Sequence, residues 1–309
     1  MPNPMPFGPD AIARAAAEIA GGGIVAVPTE TVYGLAADAT NAEAVARIYA
    51  AKGRPAFNPL IVHVADRAAA EAIGVFDPAA RALAQAFWPG PLTLVLPLRP
   101  EAGIARLVTA GLGTVALRVP AHRAMRALLD ACGKPLAAPS ANRSNAISPT
   151  RAAHVLASLG ERAPLVIDDG PSAAGLESTI VHGRTILRPG PVTAEEIAAL
   201  LGPLPLPRNS GTDAPVLAPG QLATHYAPGK PLRLNATAAQ PDEWLIGFGP
   251  IAGDDTLSAA GDLTQAAARL FDALHRADAS PKPRIAVAPI PECGLGEAIN
   301  DRLRRAANR

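Results

Sequence analysis

This sequence of 309 residues contains two cysteines and has a net charge close to zero. The two cysteines, Cys132 and Cys293, lie far apart and outside any CxxC pair, which argues against a disulfide framework and a cysteine zinc site. A formal net charge of +1 gives no overall field that would attract nucleic acid or an anionic membrane. Any phosphate binding must therefore depend on a local cluster of cations.

Long apolar runs are missing as well. The N-terminal residues, MPNPMPFGPD, lack the basic region and the apolar run of a signal peptide. No later segment is apolar enough to span a bilayer, so no membrane association is expected. The sequence therefore predicts a cytoplasmic protein.

Familiar catalytic and nucleotide-binding signatures are also absent. The Gly-Lys-Pro triplets at 133–135 and 229–231 lack the hydroxyl residue that follows lysine in a P-loop. Residues 111–116 spell GxGxxA, but they open a predicted strand rather than a helix, which argues against a dinucleotide site. GxSxG, HExxH and the kinase loop do not occur. ATP, if it is bound, must be held in another way.

What the chain does contain is an alternation of strand and helix patterns up to about residue 200, which predicts an α/β layer fold. Strands are predicted at 24–27, 60–64, 92–96, 115–119, 136–138 and 165–167, and helices at 11–20, 41–51, 67–73, 79–87, 123–131 and 148–159. Asp10, Asn41 and Ser148 are the expected N-caps of the first, second and last of these helices.

The composition changes after Leu201. Residues 202–229 are rich in proline and glycine and have no helix or strand period, which predicts an extended linker. Strand patterns at 244–248 and 284–287 then alternate with helix patterns at 264–275 and 299–307, and this order predicts a small Rossmann-like domain. Two domains are also the expectation for a chain of this length.

Hydroxyls, cations and an imidazole are concentrated near the N-terminus. Thr31 lies in a turn after the first strand, Lys52 and Arg54 lie at a helix end, and His63 lies on the next strand. This set suits a small polar substrate together with a polyphosphate. The helix dipole alone also favours cations at a helix C-terminus, and His63 is equally consistent with a core histidine.

Polar residues follow two later strands. The hydroxyl and amide groups of Pro139–Asn145 suit close approach by a phosphate, although serine and asparagine also favour turns. Asp168 and Asp169 could bind a metal ion, but neighbouring strand residues point to opposite faces and Asp-Gly-Pro is typical of a turn. A turn is the preferred interpretation.

Two arginines stand in unusual positions. Arg118 lies mid-strand between apolar neighbours, and a buried cation there needs either an internal carboxylate or, as preferred here, a substrate carboxylate. Arg188 precedes a Pro-Gly turn, where an arginine is usually solvated, yet its planar fork also suits a phosphate. With no covalent nucleophile beside a base and no metal cage, these residues predict a site that holds a nucleotide and an amino acid for attack at phosphorus.

A series of longer motifs runs in order along the chain: Pro28–Leu35, Lys52–Pro55, Asn58–Leu60, Trp88–Thr93, Arg118–Pro120, Pro139–Asn142, Ser148–Thr150, Glu177–Ile180, Arg188–Gly190, His225–Pro228 and Gly294–Leu303. In these motifs the whole chain resembles the threonylcarbamoyl-adenylate synthases in their long form. The resemblance implies a YrdC-like twisted mixed-sheet catalytic domain at 1–201, a linker at 202–229 that closes over the site, and a small Rossmann-like domain at 230–309.

The resemblance also implies a nucleotidyltransferase reaction. L-Threonine, bicarbonate and ATP, with magnesium, would give threonylcarbamoyl-adenylate and pyrophosphate. A partner tRNA threonylcarbamoyl-transferase complex would then modify the adenosine beside the anticodon, and weak direct contact with tRNA is conceivable. No protein-bound metal is implied.

Site residues follow from the same resemblance. Threonine would be bound by Thr31, His63, Arg118, Ala138 and Ser178, and ATP by Lys52, Arg54, Asn58, Thr114, Ser140, Asn142, Ser148, Arg188, His225 and Tyr226. Lys52, Arg54 and Ser140 would be the catalytic group. Two positions depart from the family pattern. Thr224 stands where the linker usually has a basic residue, and Asn145 replaces a glycine but tolerates a positive φ.

Two other functions remain as alternatives. A YrdC-like surface could bind RNA without catalysis, although the near-zero net charge and the few aromatics argue against it. A related ligase could act on a different acceptor, as in hydrogenase maturation, although the chain lacks the extra zinc-finger and acylphosphatase-like segments that such an enzyme needs.

Overall fold

The computed structural model describes residues 3–205 and 225–308. Residues 206–224, which include Thr224 and most of the predicted linker, lie outside the described residues. Two sheets organise the rest, one with ten strands and one with four. This confirms the predicted α/β class with a large mixed sheet followed by a smaller α/β unit. The exact limits 1–201, 202–229 and 230–309 stay a prediction.

The large sheet is mixed. Its strands are β1 (Met5–Pro6), β2 (Val25–Pro28), β3 (Tyr33–Asp38), β4 (Ile61–His63), β5 (Leu92–Pro97), β6 (Thr114–Arg118), β7 (Leu136–Ala137), β8 (Leu165–Asp168), β9 (Thr179–His182) and β10 (Thr185–Arg188). Their order is β1-β8-β2-β3-β7-β4-β6-β5-β9-β10. Strands β4 and β6 run parallel, whereas β7 pairs antiparallel with both β3 and β4. This strand order brings together the ends of strands that are far apart in the sequence.

Seven helices pack around this sheet within residues 3–205: α1 (Pro9–Ala20), α2 (Ala42–Lys52), α3 (Arg67–Ile73), α4 (Pro78–Phe87), α5 (Arg123–Cys132), α6 (Ala152–Leu159) and α7 (Ala194–Leu201). Asn41 caps α2 as predicted, because its side chain accepts bonds from the amides of Glu43 and Ala44. The buried apolar side chains of α2, α3, α4, α6 and α7 belong to the main core, and those of α1 and α5 form a second core cluster.

Two predicted caps are wrong. Helix α1 begins at Pro9 with Gly8 as its N-cap, so Asp10 lies inside the first turn. Proline suits the first helical position because its missing N–H would have no partner there. Helix α6 begins at Ala152 rather than near Ser148, whose hydroxyl instead donates a hydrogen bond to a distant carboxylate.

Other local predictions fare better. The GxGxxA segment leads into β6 and not into a helix. The Asp168 carboxylate accepts a bond from the Gly170 amide over 3.0 Å, which confirms the predicted turn. Asn145 has a φ of 67°, as the substitution of asparagine for glycine requires. Strand β3 is absent from the predictions because its sequence reads as a continuation of the preceding turn.

The smaller sheet contains β11 (Leu232–Arg233), β12 (Glu243–Gly247), β13 (Asp255–Thr256) and β14 (Arg284–Val287), in the order β11-β14-β12-β13. All three pairings are parallel, which agrees with the Rossmann-like prediction. Helices α8 (Leu263–Ala279) and α9 (Leu295–Ala307) pack on it. Both helices are longer than the predicted segments at 264–275 and 299–307.

The two units share one apolar cluster. Val32, Ile147 and Leu176 from the large-sheet unit pack with Tyr226 and with buried residues of α8 and α9. The C-terminal unit is therefore fixed against the loops at one end of the large sheet. Among the described residues, no helix combines the length and the apolar character needed to cross a membrane.

Candidate active site

A small enclosed cavity lies where these loops and the C-terminal unit meet. Its walls come from the 29–32 turn, β4, β6, the loop after β7, the 177–178 segment, the end of β10 and residues 225–226. Its volume is about 50 Å³. Ten of its sixteen lining residues carry a hydroxyl, imidazole or guanidinium group, so the cavity is rich in hydrogen-bond donors.

Arg118 dominates one end of this cavity. The side chain is buried and donates to the Glu30 carboxylate over 2.5 Å, to the Thr31 hydroxyl over 2.9 Å and to the Gly90 carbonyl over 3.2 Å. An internal carboxylate, Glu30, therefore balances the charge of Arg118, and the preferred idea of a substrate carboxylate as a further partner stays a prediction. Burial alone would raise the pKa of Glu30, but the charge and hydrogen bond of Arg118 outweigh burial and lower it.

His63 lies beside Arg118, since the two residues are in register on β4 and β6. Burial, helped by the Arg118 cation, lowers the pKa of His63 to about 3, so the ring is neutral at pH 7. Its Nδ1 atom is buried and has no hydrogen-bond partner within residues 3–205 and 225–308. A core histidine would normally have both ring nitrogens satisfied, and a ligand-binding role of His63 stays a prediction.

Three cations lie at the other end. Arg54 donates to the carbonyls of Asn58 and Pro59, over 3.2 and 2.8 Å, and lines the cavity. Lys52 is buried just behind the wall, where its Nζ atom donates to the backbone carbonyls of Ser140 and Asn142 over 2.5 and 2.6 Å. Burial, and then the Arg54 cation, hold the pKa of Lys52 well below its usual value.

Arg188 is the third cation, and it is buried rather than solvated. Its guanidinium donates to the Ser178 carbonyl over 2.8 and 3.1 Å and to the Ser178 hydroxyl over 3.2 Å. Gly190 permits this packing, because a Cβ atom there would lie 2.5 Å from the Thr179 amide nitrogen. The Pro-Gly turn therefore brings Arg188 into the cavity instead of leaving it in solvent.

Glu177 is a cavity residue that sequence reasoning missed. One carboxylate oxygen accepts a bond from the Ser148 hydroxyl, and the other accepts from Arg302 Nε over 2.8 Å. Burial alone would raise the pKa of Glu177, but the charges of Arg302 and Arg188 outweigh burial and lower it. Arg302 is 0 % exposed, and a buried arginine needs a compensating carboxylate. Because this burial is known only from the structure, the signal in the sequence was the place of Glu177 in the motif Glu177–Ile180.

His225 and Tyr226 close the cavity from the C-terminal side. Their rings meet edge to face with centroids 4.0 Å apart, and the Tyr226 ring also packs on Phe271 at 5.5 Å. Tyr226 is 0 % exposed. Within the described part of the chain, the Tyr226 hydroxyl and His225 Nδ1 are buried without a hydrogen-bond partner, which is an arrangement expected of groups that face a ligand.

The predicted site residues thus fall into three groups. Ten line the cavity: Thr31, Arg54, His63, Arg118, Ala138, Ser140, Ser178, Arg188, His225 and Tyr226. Four lie in a buried layer outside the cavity wall: Lys52, Asn58, Asn142 and Ser148. Thr114 lies apart, at the opposite end of β6 from Arg118 and paired with Pro97. Besides Glu177, the structure adds Thr29, Val32, Gly34, Ile61 and Pro139 to the lining.

Comparison with known proteins agrees with this layout. Residues 17–190 match the family described as telomere recombination, with the names Sua5, YciO and YrdC. Residues 192–308 match the C-terminal domain of threonylcarbamoyl-AMP synthase. The chain belongs to the threonylcarbamoyl-AMP synthase family. This confirms the predicted family in its long form, together with the synthase activity that defines it.

Individual relatives cover nearly the whole chain. The threonylcarbamoyl-AMP synthase of Bacillus subtilis is 41% identical over 96% of this chain and 92% of its own length. That of Pyrococcus abyssi is 38% identical over 95% and 93%. The crystal structure of the P. abyssi synthase Sua5 complexed with L-threonine superposes with a TM-score of 0.89 at 36% identity, covering 98% of this chain and 96% of that one. The similarity therefore extends through both units.

Proposed function

We propose that this threonylcarbamoyl-AMP synthase is a nucleotidyltransferase that uses L-threonine, bicarbonate and ATP and releases pyrophosphate. The observation that carries the proposal is the meeting of Arg54, Arg118, Ser140 and Arg188 around one buried cavity. Donors and cations of this kind suit substrates that together bring a carboxylate, bicarbonate and a triphosphate.

Threonine would bind at the Arg118 end. Arg118 would contact its carboxylate, while Thr31, His63 and Ser178 would face its polar groups and Ala138 its apolar side. The neutral ring of His63 supports this arrangement, because a cationic ring beside Arg118 would be strongly disfavoured in so buried a place. The P. abyssi synthase crystallised with L-threonine supports the substrate class.

The nucleotide would bind at the end formed by Arg54 and Arg188. Lys52, Asn58, Asn142 and Ser148 would shape this end from behind, with Ser140, His225 and Tyr226 at its surface. Thr114 is the weakest member of the proposed set, because it lies at the far end of β6.

The present cavity is too small for a nucleotide. Its volume of about 50 Å³ compares with ~300–1,000 Å³ for typical small-molecule pockets. ATP binding would therefore require surrounding residues to move. His225 and Tyr226 are the candidates to move, since both line the cavity and precede the C-terminal unit in the chain.

The chemistry would need little covalent help from the protein. The threonine amine would attack the carbon of bicarbonate, with loss of one water molecule, to form a carbamate. A carbamate oxygen would then attack the α-phosphorus as pyrophosphate leaves. Arg54, Arg118 and Arg188 would offset the repulsion between the anionic reactants and hold them in line. Positioning and electrostatic stabilisation would supply the rate.

Magnesium would enter with ATP. Glu177, which lines the cavity, and Glu30, which contacts the lining residue Arg118, are each paired with an arginine. Mg²⁺ in nucleotide sites is commonly held by substrate phosphates and water with few protein ligands. Among residues 3–205 and 225–308 no group of three acidic, histidine or cysteine side chains could hold a metal ion. We propose that the nucleotide's own phosphates carry the ion.

The product would serve tRNA modification. A threonylcarbamoyl-transferase complex would take the threonylcarbamoyl group and transfer it to the adenosine beside the anticodon, which places the enzyme in the cytoplasm. A weak contact with tRNA remains part of this proposal.

Pyrophosphate release tests the proposed reaction. Purified protein should release pyrophosphate from ATP only when threonine and bicarbonate are both present, and threonylcarbamoyl-adenylate should accumulate in equal amount. Release that persists without threonine would contradict the proposal. Salt-sensitive tRNA binding without any release would favour the RNA-binding alternative.

A further inference from the structure

Thr93 is a buried residue that contacts the candidate threonine site from outside. It lies on β5, is 0 % exposed and is not among the residues that line the cavity. Its hydroxyl oxygen lies 2.7 Å from the hydroxyl oxygen of Ser178, which does line the cavity. Within residues 3–205 and 225–308 this is the one hydrogen bond that the Thr93 side chain makes. Any effect of the Thr93 hydroxyl on a substrate must therefore pass through Ser178.

The strand register places this pair beside Arg118. Strands β5 and β6 are antiparallel, and their register, continued by one position, puts Thr93 opposite Arg118. His63 lies opposite Arg118 on β4. Opposed residues on neighbouring strands project from the same face of a sheet. A row of polar side chains thus crosses β4, β6 and β5 and continues to Ser178, which belongs to the Arg118 end of the cavity.

The direction of the hydrogen bond between Thr93 and Ser178 follows from the acceptors that each hydroxyl can reach. A hydroxyl has one hydrogen to donate and two lone pairs that accept. If Ser178 donated, the hydroxyl hydrogen of Thr93 would be buried without an acceptor among the described residues, which is strongly unfavourable. Thr93 therefore donates and Ser178 accepts.

Ser178 also accepts from a second donor. The Nη2 atom of Arg188 donates to the Ser178 hydroxyl oxygen over 3.2 Å. Thr93 and Arg188 together occupy both lone pairs of that oxygen, so the hydroxyl hydrogen of Ser178 needs an acceptor elsewhere. No protein group in the described part of the chain accepts it, and Ser178 lines the cavity. Ser178 therefore presents a hydrogen-bond donor to the substrate.

Thr31, at the same end of the cavity, has the opposite polarity. Thr29 donates its hydroxyl hydrogen to the Val32 carbonyl over 2.6 Å. In the 2.8 Å contact between Thr29 and Thr31 the hydrogen therefore comes from Thr31. Because Arg118 donates to the Thr31 oxygen over 2.9 Å, one lone pair is left, and this hydroxyl is an acceptor toward the cavity. A carboxylate oxygen thus fits at Ser178, and an N–H group fits at Thr31.

We propose that Thr93 is a positioning residue of the threonine site, which fixes the Ser178 hydroxyl as a donor to the carboxylate of the substrate threonine. The proposal rests on the proposed function and deepens it: Arg118 and Ser178 hold the carboxylate, and the amine faces Thr31. Thr93 does not touch the substrate. Its hydroxyl determines the direction in which the Ser178 hydrogen points.

Steady-state kinetics of hydroxyl variants test this role. Thr93→Val keeps the branched shape but leaves one lone pair of Ser178 open toward the carboxylate, so the KM for threonine should rise about fivefold. Ser178→Ala removes the donor itself and should raise this KM about tenfold or more, as expected for a hydrogen bond to a charged group. Thr93→Ser restores the hydroxyl and should recover most of the affinity. Both Thr93 variants should change the KM for ATP less than about twofold, because Thr93 lies at the threonine end.

A double variant and a matched control separate positioning from packing. Thr93→Val combined with Ser178→Ala should raise the threonine KM no more than Ser178→Ala alone, because Thr93 acts through that hydroxyl. Thr109→Val removes another buried threonine hydroxyl, which donates to the Arg106 carbonyl over 3.2 Å outside the cavity lining. This control should leave the threonine KM within about twofold of wild type. Circular dichroism and thermal melting show whether each variant is folded, and Thr93→Ala carries the same prediction if Thr93→Val does not fold.

Calorimetric titration with L-threonine needs no turnover and should give the same order of affinities. An unchanged threonine KM and Kd in folded Thr93→Val would overturn the positioning role, as would additive losses in the double variant. An unchanged threonine Kd with a lower kcat would also overturn it, since Ser178 would then donate to a group formed later in the reaction. Wild-type protein that binds threonine but releases no pyrophosphate would instead overturn the proposed reaction, and the order of threonine Kd values would still decide the role of Thr93.

Discussion

The two ends of the cavity are each built around an arginine paired with a carboxylate, but the pairs serve different purposes. Arg118 and Glu30 both belong to the large-sheet unit, and Arg118 faces the cavity. Arg302 belongs to the C-terminal unit and, among the described residues, contacts the cavity-lining residues Glu177 and Tyr226. We propose that the first arginine contacts a substrate, whereas the second contacts residues that line the cavity.

This difference gives opposite expectations for rescue. Removing both members of a buried ion pair relieves the uncompensated charge, so stability should recover at either end. Substrate binding should recover only in the pair whose arginine does not itself contact the substrate. Double variants of the two pairs therefore distinguish direct from indirect roles.

The largest effect is expected for Arg118→Met. It should lower kcat/KM for threonine by about 10²–10³-fold, because a charge-assisted contact with the carboxylate is lost, and should destabilise the fold by about 3 kcal/mol through the orphaned Glu30. Kinetics with threonine varied, together with urea unfolding, measure both quantities.

Adding Glu30→Gln to Arg118→Met should restore much of the unfolding free energy but little of the threonine affinity. Recovery of threonine affinity in this double variant would show that Arg118 does not bind the substrate. That result would mean that neither of the two arginines contacts the substrate directly.

The next largest effect is expected at the cations of the nucleotide end. Arg54→Ala should lower kcat/KM for ATP by about 10²-fold, because a guanidinium in the cavity wall is lost. Lys52→Ala should cost less in ATP affinity and more in stability, since its three hydrogen bonds hold the 140–142 loop rather than face the cavity.

Titration of ATP in both variants, with thermal melting as a check on folding, separates the two cations. Wild-type kinetics in Arg54→Ala would remove that residue from the site. Equal losses of ATP affinity with unchanged melting in both variants would place Lys52 in direct contact with the nucleotide.

The smallest effect concerns the pH dependence of stability. The pKa of His63 is depressed to about 3 in the folded protein and is near 6.5 in an unfolded chain, so the unfolded state binds the proton first as the pH falls. His63 therefore contributes stability that is present above pH ~6.5 and is lost on acidification. Between pH 7 and pH 5 this loss amounts to about 2 kcal/mol.

His63→Gln should remove that part of the pH dependence. Urea unfolding at pH 7 and pH 5 should show a smaller fall in stability for the variant than for wild type. His275, whose pKa burial lowers to about 4, should cause a similar loss and is present in both proteins, which makes it an internal reference. Identical pH slopes would show that His63 is not buried as the structure places it.

The sequence was most informative where its motifs match those of a known family. Through that resemblance Arg54, Ser140 and Arg188 were assigned to a common site before any coordinates, and all three line the cavity. Helix and strand periods located most elements to within a few residues. Local patterns can be recognised from the sequence because the residues that determine them lie within one helical turn or one strand.

Partners remote in the chain could not be predicted in this way. Arg118 and Glu30 are separated by 88 positions, and Arg302 and Glu177 by 125. No periodicity connects them, so the choice between a substrate carboxylate and an internal one had no local signal. The wrong cap at Ser148 has the same origin, because Glu177 takes its hydroxyl.

A crystal structure with threonine and a non-hydrolysable ATP analogue bound together would decide whether one cavity holds both substrates. We expect the threonine carboxylate on Arg118 and the phosphates between Arg54 and Arg188, with His225 and Tyr226 displaced from their present positions. A nucleotide bound on another surface, with Arg54 and Arg188 still facing an unfilled cavity, would contradict the shared site.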